Sequence, residues 1–392
     1  MDVYLDNAAT TMVDPRVLEE MLPYLSDRYG NPSSVHQLGR VAREAVETAR
    51  ERIAKSIKAR ADEIVFTSGG TEANNLALKG IAFANKERGN HIITTAVEHK
   101  CVLNSCKWLE TQGFRITYLS VDGEGFVNAE ELENAITDKT ILFSVIHGNN
   151  EIGTIQNLEE LGKICRAHGI YFHTDACQSY TKAEIDVRRQ NLHLVTLNAH
   201  KIHGPKGVGA LYIREGTTIV PWQHGGGQEF KLRGGTENVP GIVGFAKAVE
   251  IASNKEYIAY MSKLRDRLIE GVLEIEDSRL NGPKGERRLC NNANFSFRRI
   301  EGEALGALLG EDGIKTSTGS ACASHTLEKS HVLKALGITD EEINGSVRMT
   351  ISRFTKEEEV EYAIEKTKKA VKDLRRFSPF KRVVESVLGK SH

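Results

Sequence analysis

Three side chains that could take part in catalysis or cofactor binding each follow a short apolar run that is typical of a β-strand. Asp175 comes directly after IYFHT (170–174), Lys201 lies four residues after HLVTL (193–197), and His99 lies four residues after HIITT (91–95). A buried carboxylate needs a cationic partner, and a lysine in a desolvated turn is a candidate Schiff-base amine. Taken singly, the lysine is as readily a solvated surface charge, and the histidine as readily caps a helix.

A phosphate group would fit the stretch SGGTEANN (68–75), where two glycines precede Thr71 and a predicted helix. A plain strand–helix turn with a threonine cap explains the same residues. Together with Asp175 and Lys201, however, the stretch creates a site with three separate charges to satisfy. Pyridoxal phosphate offers a phosphate, a ring nitrogen for the carboxylate and an aldehyde for the amine, and His99 could cover its ring. A nucleotide fits less well, because the chain has neither G-x-x-x-x-G-K-[ST] nor a helix-opening G-x-G-x-x-G after the first strand.

A single cysteine, Cys322, stands in STGSACASHTLEKSH (317–331) among small residues that are typical of a flexible loop. Three interpretations compete: a catalytic nucleophile, a metal or cluster ligand, and an incidental thiol. Beside Lys201 and Asp175 the nucleophile is favoured. A separate metal site is weaker, since His200 and His203 have no thiol or carboxylate near them in sequence.

Composition excludes several classes of protein. The chain has 392 residues, 40% of them hydrophobic and 27% charged, with a net charge of −1, which does not favour a nucleic-acid or anionic membrane surface. The start, MDVYLDNAATT, lacks a basic region followed by an apolar run, and no stretch reaches the roughly 18 apolar residues of a membrane span. Six scattered cysteines without a C-x-x-C pair favour a reducing, cytoplasmic compartment.

The elements that would position these residues alternate along the middle of the chain. Strands are predicted at 63–67, 91–95, 141–146, 170–174, 193–197 and 209–213, and helices between them at 71–88, 100–111 and 158–167. This alternation predicts a largely parallel sheet covered on both faces, with functional residues just past the carboxyl ends of its strands. One long helix is predicted from Val239 to about Glu276, crossing Asn254 and Lys255. Strands at 291–297 and 346–351 and a charged helix from Thr355 predict a smaller α/β domain.

Ten collinear motifs carry a resemblance over nearly the whole chain. The chain resembles cysteine desulfurases of the NifS/IscS type, which are fold-type I, class V aminotransferase-like pyridoxal-phosphate enzymes. The motifs are GNPSSVH, FTSGGTEANN, VEHK, NNEIGTIQ, HTDACQS, AHKIHGPKG, GGGQE, RGGTENV, STGSACAS and SHVL. The resemblance implies a large domain (12–258) with a mainly parallel seven-stranded sheet, and a small α/β domain (1–11 and 259–392) that carries the cysteine loop.

The resemblance also implies a role for each matching residue. Lys201 would hold the cofactor covalently, Asp175 would pair with its ring nitrogen, Gln178 would bind the ring oxygen, and His99 would stack on the ring and assist proton transfers. Asn150 and Arg353 would receive the substrate, L-cysteine, and Cys322 would be the nucleophile that becomes a persulfide. The phosphate would be held by Gly70, Thr71, Asn198 and His200, with Thr236 reaching the phosphate of the partner subunit in a homodimer.

Some residues depart from the family pattern. Asn198 replaces a serine, Cys177 replaces an alanine, and Ser352 replaces a glycine beside Arg353, so the substrate's carboxylate contact is the part of the site most affected. The implied sulfur acceptor is an iron–sulfur scaffold protein or another acceptor, for cluster assembly or tRNA thiolation, and Cys322 could transiently ligate a cluster. No membrane and no direct nucleic-acid partner is expected.

Two alternatives stay open at this point. The first is a relative of the same fold, either a selenocysteine lyase or an aminotransferase. An aminotransferase would not need Cys322. The second is a scaffold protein that has lost its chemistry, against which the presence of Lys201 and Asp175 argues.

Overall fold

The computed structural model describes residues 1–318 and 329–377. The strands within these ranges are β1 (Val3–Tyr4), β2 (Ile64–Thr67), β3 (His91–Thr95), β4 (Arg115–Leu119), β5 (Thr140–Ile146), β6 (Tyr171–Asp175), β7 (Leu194–Asn198), β8 (Gly209–Ile213), β9 (Ser278–Leu280), β10 (Asn292–Phe297), β11 (Ile314–Lys315), β12 (Ser317–Thr318) and β13 (Ser346–Thr350). The α-helices are α1 (Pro15–Met21), α2 (Pro23–Ser26), α3 (Gln37–Ser56), α4 (Gly70–Ala84), α5 (Lys100–Thr111), α6 (Ala129–Ala135), α7 (Leu158–Ala167), α8 (Val239–Ala252), α9 (Lys255–Leu273), α10 (Gly302–Glu311), α11 (His331–Ala335), α12 (Asp340–Asn344) and α13 (Glu357–Phe377).

The central sheet has seven strands in the order β2-β8-β7-β6-β5-β3-β4, and only the pairings of β8 within it are antiparallel. Every residue of β3, β5 and β7 is buried, as expected for strands covered on both faces. Successive residues such as Leu142 and Phe143 enter two different cores, because side chains alternate across a strand. The predicted α/β class with a mainly parallel seven-stranded sheet is confirmed.

Two sequence predictions about elements are wrong. The strand β4 was not predicted, because it is a half-exposed edge strand that begins with Arg115 and lacks a continuous apolar run. The predicted helix from Val239 to Glu276 is two helices, α8 and α9. It breaks because the Asn254 side chain accepts the backbone N–H of Glu256 and caps the start of α9.

A second core surrounds a four-stranded antiparallel sheet of order β12-β13-β10-β9. Val3 and Leu5 also belong to this core. The chain therefore begins in the second core, where β1 pairs with β11, and enters the large sheet only at β2. We keep the limits 12–258 for a large domain, and 1–11 with 259–392 for a small one, as a proposal that these separate cores support. None of the described helices is both long and apolar enough to span a membrane.

Candidate active site

A cavity of about 370 Å³ lies at the carboxyl edge of the central sheet. Ile146, Asp175 and Asn198, the last residues of β5, β6 and β7, all line it. This edge is where parallel strands collect functional groups, because the loops that follow them converge there. The cavity brings together nine predicted cofactor residues: Gly70, Thr71, His99, Asn150, Asp175, Gln178, Asn198, His200 and Lys201.

Asp175 provides a buried carboxylate on one wall of the cavity and is only 3% exposed. Its Oδ2 accepts a hydrogen bond from Asn74 Nδ2 at 2.7 Å, and its Oδ1 accepts the backbone N–H of Cys177 at 2.9 Å. Both donors are neutral, so a cationic group in the cavity would meet this carboxylate favourably. Sequence reasoning missed Asn74, whose only signal was its position one helical turn after Gly70 in TEANN.

The start of α4 provides the groups that suit a phosphate. Gly69 precedes the helix with a φ of 153°, a backbone conformation that residues other than glycine rarely adopt. Because glycine has no side chain, it does not cap the amides of the first helical turn. The first-turn amides therefore keep donors for an anion. A Cβ at Gly70 would lie 2.4 Å from the Cys177 Sγ, so the thiol occupies the space that a side chain at Gly70 would need.

Unsatisfied amide groups around the cavity support the fit of a polar ligand. Asn150 Oδ1 and Asn198 Oδ1 are both buried and have no hydrogen-bond partner in the part of the chain that the structure describes. Gln178 uses its Nε2 to donate to the Ala8 carbonyl at 2.9 Å, which fixes the amide and leaves a second hydrogen on the same nitrogen. The cavity therefore offers backbone amides at the start of α4 to a phosphate, and buried side-chain amides to the polar substituents of a ring.

The turn after β7 holds Lys201 at the cavity wall. Lys182 Nζ donates to the backbone carbonyls of Gln178 at 2.9 Å and Lys201 at 3.2 Å, so it ties this turn to the loop after β6. Desolvation lowers the pKa of Lys182 to about 8. Desolvation and the neighbouring lysine charges also lower the pKa of His200 to about 4, so this imidazole is neutral near pH 7.

His99 has two functions that the sequence presented as alternatives. It caps α5, since its Nδ1 accepts the backbone N–H of Cys101 at 3.2 Å, and its ring also lines the cavity. Desolvation is the largest cause of a lowered pKa for His99, so the ring is neutral.

The position of Arg353 corrects the sequence prediction that it receives the substrate. Its guanidinium donates to the buried Asp14 at 2.7 Å, and it lines a small neighbouring cavity together with Ser352. Neither residue lines the cavity of Asp175. Arg353 and Ser352 therefore lie beside the candidate site, in a cavity that shares Lys201 with it, and Arg353 does not line the cavity in which the other predicted residues meet.

Arg348, five residues earlier on β13, lines the cavity instead. Its guanidinium donates to Asp6 Oδ1 and to the Asn150 carbonyl, each at 2.9 Å. Its Nε is buried and has no partner within residues 1–318 and 329–377. One edge of this guanidinium is therefore available for a bidentate contact with a carboxylate.

Two predicted residues are not part of this cavity. Thr236 is exposed on the surface of its own chain, so a single chain does not test its predicted contact with a partner's phosphate. Cys322 lies outside the described residues, although Ser317, just before the undescribed stretch, lines the cavity. Among the residues that are described, no group of three or more His, Cys, Asp or Glu side chains is placed to hold a metal ion.

Glu98, next to His99, gives a prediction about stability and pH. Its carboxyl is fully buried, its Oε1 accepts hydrogen bonds from the Thr95 hydroxyl and the Ile146 N–H, and its Oε2 has no partner. Burial, with a smaller contribution from the Asp175 charge, raises its pKa to about 8. The unfolded chain releases this proton near pH 4.5, so Glu98 lowers the free energy of unfolding progressively from there up to about pH 8.

We expect Glu98→Gln to melt at a higher temperature than wild type at about pH 8.5 and at nearly the same temperature at about pH 5. The measurement is thermal unfolding across pH at equal cofactor loading. The exposed Glu87→Gln serves as the control and should leave the pH profile unchanged. Equal melting curves for Glu98→Gln and wild type at the higher pH would show that Glu98 is ionised without cost.

Comparisons with known proteins agree with this geometry. The family model for aminotransferase class-V matches residues 3–363. A protein of Methanosarcina thermophila named cysteine desulfurase IscS is 52% identical over 379 residues, which is 96% of this chain and 94% of that protein. A solved structure named NifS-like protein has a TM-score of 0.89 at 41% identity and covers 95% of this chain and 100% of its own. Another, named SspA in complex with cysteine, has a TM-score of 0.81 at 39% identity and covers 90% and 100%.

Proposed function

Because the chain belongs to the aminotransferase class-V family and, within it, to the cysteine desulfurases, we propose that its strand-end cavity binds L-cysteine beside pyridoxal phosphate. The chain is a pyridoxal-phosphate-dependent cysteine desulfurase. What remains to be proposed is which residues act and how. The observation that carries the assignment is that Lys201, Asp175 and His99 all line one cavity.

The residues around the cavity suit each part of the cofactor. When bound, pyridoxal phosphate supplies an aldehyde that captures the substrate's amine and a ring that accepts the electron pair released at the α carbon. Asp175 would keep a proton on the ring nitrogen, because a buried carboxylate with two neutral donors favours a cation beside it. His99 would cover the ring, and Gln178 would donate its second amide hydrogen to the ring oxygen.

Lys201 has two roles in this proposal. In the resting enzyme the Lys201 amine would hold the cofactor covalently. When not bound to the cofactor, the same Lys201 amine would remove the substrate's α-proton, for which it must be uncharged.

Arg348 is the proposed anchor for the carboxylate of L-cysteine. It points into the cavity with Nε unpartnered, while Asp6 and the Asn150 carbonyl fix the rest of its guanidinium. A planar guanidinium held in this way presents two parallel donors to a carboxylate, which a flexible ammonium does not. The pair of Arg353 with Asp14 argues against Arg353 in this role.

We expect Arg348→Lys to raise the KM for L-cysteine by about 10- to 100-fold, because lysine keeps the charge and loses the bidentate contact. The matched control is Arg353→Lys, which should leave KM within about twofold and lower Tm instead, since its guanidinium pairs with a buried carboxylate. Steady-state kinetics and thermal unfolding of both variants check the prediction. If Arg353→Lys raised the KM more than Arg348→Lys does, Arg353 would be the residue that binds the substrate's carboxylate.

The thiols of the described chain support Cys322 as the nucleophile. Five of the six cysteines are described, and burial raises the pKa of each: to about 12 for Cys101 and Cys106, to about 11 for Cys290, and above the ordinary thiol value for Cys165 and Cys177. A thiol with such a pKa is a poor nucleophile near neutral pH, because the thiolate is the reactive form. In this proposal Cys322 takes the sulfur as a persulfide and L-alanine is released.

A homodimer in which Thr236 completes the partner's phosphate site is part of the proposal. Support comes from large apolar side chains that are exposed in the segment of the chain before Thr236, namely Val220, Trp222 and Phe230. A solution mass of twice 43.4 kDa supports the dimer, and a monomeric mass contradicts it.

We also propose a cytoplasmic location, which the five free thiols favour, and an iron–sulfur scaffold protein or another thiol as the sulfur acceptor. Cell fractionation tests the location. Transfer of labelled sulfur to a candidate acceptor tests the partner, and an acceptor that stays unlabelled is eliminated.

The function itself is tested by product analysis. With L-cysteine and a thiol reductant, the purified holoenzyme should release alanine and sulfide in equal amounts. Transfer of the amino group to a 2-oxo acid without sulfide would instead identify an aminotransferase. A protein that binds pyridoxal phosphate and consumes no L-cysteine would contradict the proposal.

A further inference from the structure

Asn74 and Cys101, which have no role in the proposed mechanism, connect Asp175 with His99 through polar contacts. Asn74 Nδ2 donates to Asp175 Oδ2 at 2.7 Å and to the Cys101 Sγ at 3.1 Å. The same sulfur lies 3.0 Å from Nδ1 of His99. Since an amide nitrogen carries two hydrogens, Asn74 can make both contacts at once. A continuous path of polar contacts therefore runs from the ring-nitrogen partner to the ring-stacking imidazole.

The direction of these hydrogen bonds follows from the backbone. Nδ1 of His99 accepts the backbone N–H of Cys101 at 3.2 Å, so Nδ1 carries no proton and the neutral ring is protonated at Nε2. Burial raises the pKa of the Cys101 thiol to about 12, so the thiol keeps its hydrogen at neutral pH. The Asn74 amide and the Thr71 hydroxyl both donate to this sulfur, which leaves the thiol hydrogen to point at Nδ1 of His99.

We propose that Cys101 and Asn74 are positioning residues that hold the His99 imidazole in one plane and in the Nε2–H tautomer relative to Asp175. The proposal rests on the proposed function, in which His99 covers the cofactor ring and Asp175 meets its nitrogen. It assigns the Cys101 thiol a role as a hydrogen-bond donor.

A second interpretation of Cys101, as another sulfur-accepting nucleophile in the cavity, is disfavoured. The thiol contacts Asn74, Thr71 and His99 in its protonated form, and no cationic side chain within residues 1–318 and 329–377 contacts it. Reactive thiols need the opposite environment, an electropositive one that favours the thiolate.

The test compares Cys101→Ala, Cys101→Ser and Cys106→Ala in the holoenzyme. Cys106 is the matched control, because it is a buried thiol on the same helix without a recorded contact to His99. The readout is the ¹⁵N spectrum of histidine-labelled protein, in which the two His99 nitrogens are assigned with His99→Gln. Thermal unfolding of each variant verifies folding.

In wild type we expect an unprotonated, hydrogen-bonded Nδ1 and a protonated Nε2. Cys101→Ala should move the Nδ1 resonance toward that of a nitrogen with fewer donors, and lower kcat about fivefold with little change in KM, as expected for one lost hydrogen bond. Cys101→Ser should restore both, since a hydroxyl donates to Nδ1 and accepts from Asn74. Cys106→Ala should change neither.

Asn74→Leu provides an independent variant, which should shift the His99 signals through Cys101 without touching the ring. Wild-type signals in Cys101→Ala, or equal shifts in Cys101→Ala and Cys106→Ala, would overturn the proposal. If the His99 signals respond as expected while wild type releases no alanine from L-cysteine, the positioning role stands and the proposed function fails, so the two outcomes are distinct.

Discussion

Lys201→Ala should abolish production of alanine and sulfide, with a loss of at least about 10⁴-fold, because one amine serves both as cofactor anchor and as base. The cavity itself should survive the change. Asp175, Gln178 and the start of α4 do not depend on the Lys201 side chain for their hydrogen bonds. We therefore expect the variant to bind the cofactor reversibly and to lose it on dialysis.

Reduction with borohydride followed by mass spectrometry separates anchoring from binding. Wild type should retain the mass of the reduced cofactor on the peptide that contains Lys201, and the variant should retain none. Lys206→Ala is the control, since Lys206 is an exposed lysine in the same glycine- and proline-rich turn. Covalent cofactor in Lys201→Ala would mean that another amine, such as that of Lys182, is the anchor.

The central sheet was predictable because its strands are short, apolar and bounded by turn residues. The sequence predicts four of its strands within one residue of their bounds, and it predicts β3 at 91–95 and β8 at 209–213 as the structure has them, since burial on both faces leaves a continuous apolar run in the sequence. The edge strand β4 carries no such run, because one side of it meets solvent. The break between α8 and α9 depends on a single cap at Asn254, which a helical pattern does not reveal.

The candidate site shows the same limit for individual side chains. Strand-end reasoning placed Asp175, Lys201 and His99 at one edge, because the topology of a parallel sheet fixes where its loops meet. The resemblance assigned the substrate's carboxylate to Arg353 and not to Arg348, five residues earlier, and the sequence does not show the buried partner that distinguishes them. Asp14 draws Arg353 into a neighbouring cavity, and this contact joins residues 339 positions apart in the chain.

The polar network around His99 illustrates a related limit. Asn74 and Cys101 appear in the sequence as an ordinary helix residue and a small half-buried thiol. Their significance depends on two helices, α4 and α5, that pack together beside the end of β6. Only the folded chain brings an amide to a thiol 27 residues away and to a carboxylate 101 residues away.

Cys322→Ala is expected to separate substrate binding from sulfur transfer. Lys201, Asp175 and Arg348 remain in the variant, so L-cysteine should still bind and change the absorption spectrum of the holoenzyme. Release of alanine and sulfide should fall by at least about 10³-fold, since loss of a nucleophile removes the covalent route. Cys290→Ala is the control for removal of a buried thiol and should keep its activity.

The sulfur itself can be located on the chain. After brief exposure to L-cysteine, alkylation and trypsin, an added sulfur should appear on the peptide 316–329, which contains Cys322 as its only cysteine. Four of the five described thiols are buried, Cys101 is half-buried, and all five are held in the protonated form, so the peptides that contain them should stay unmodified. Full activity in Cys322→Ala, or added sulfur on the peptide of Cys101, would move the acceptor role into the cavity wall and would also contradict the role of Cys101 as a hydrogen-bond donor.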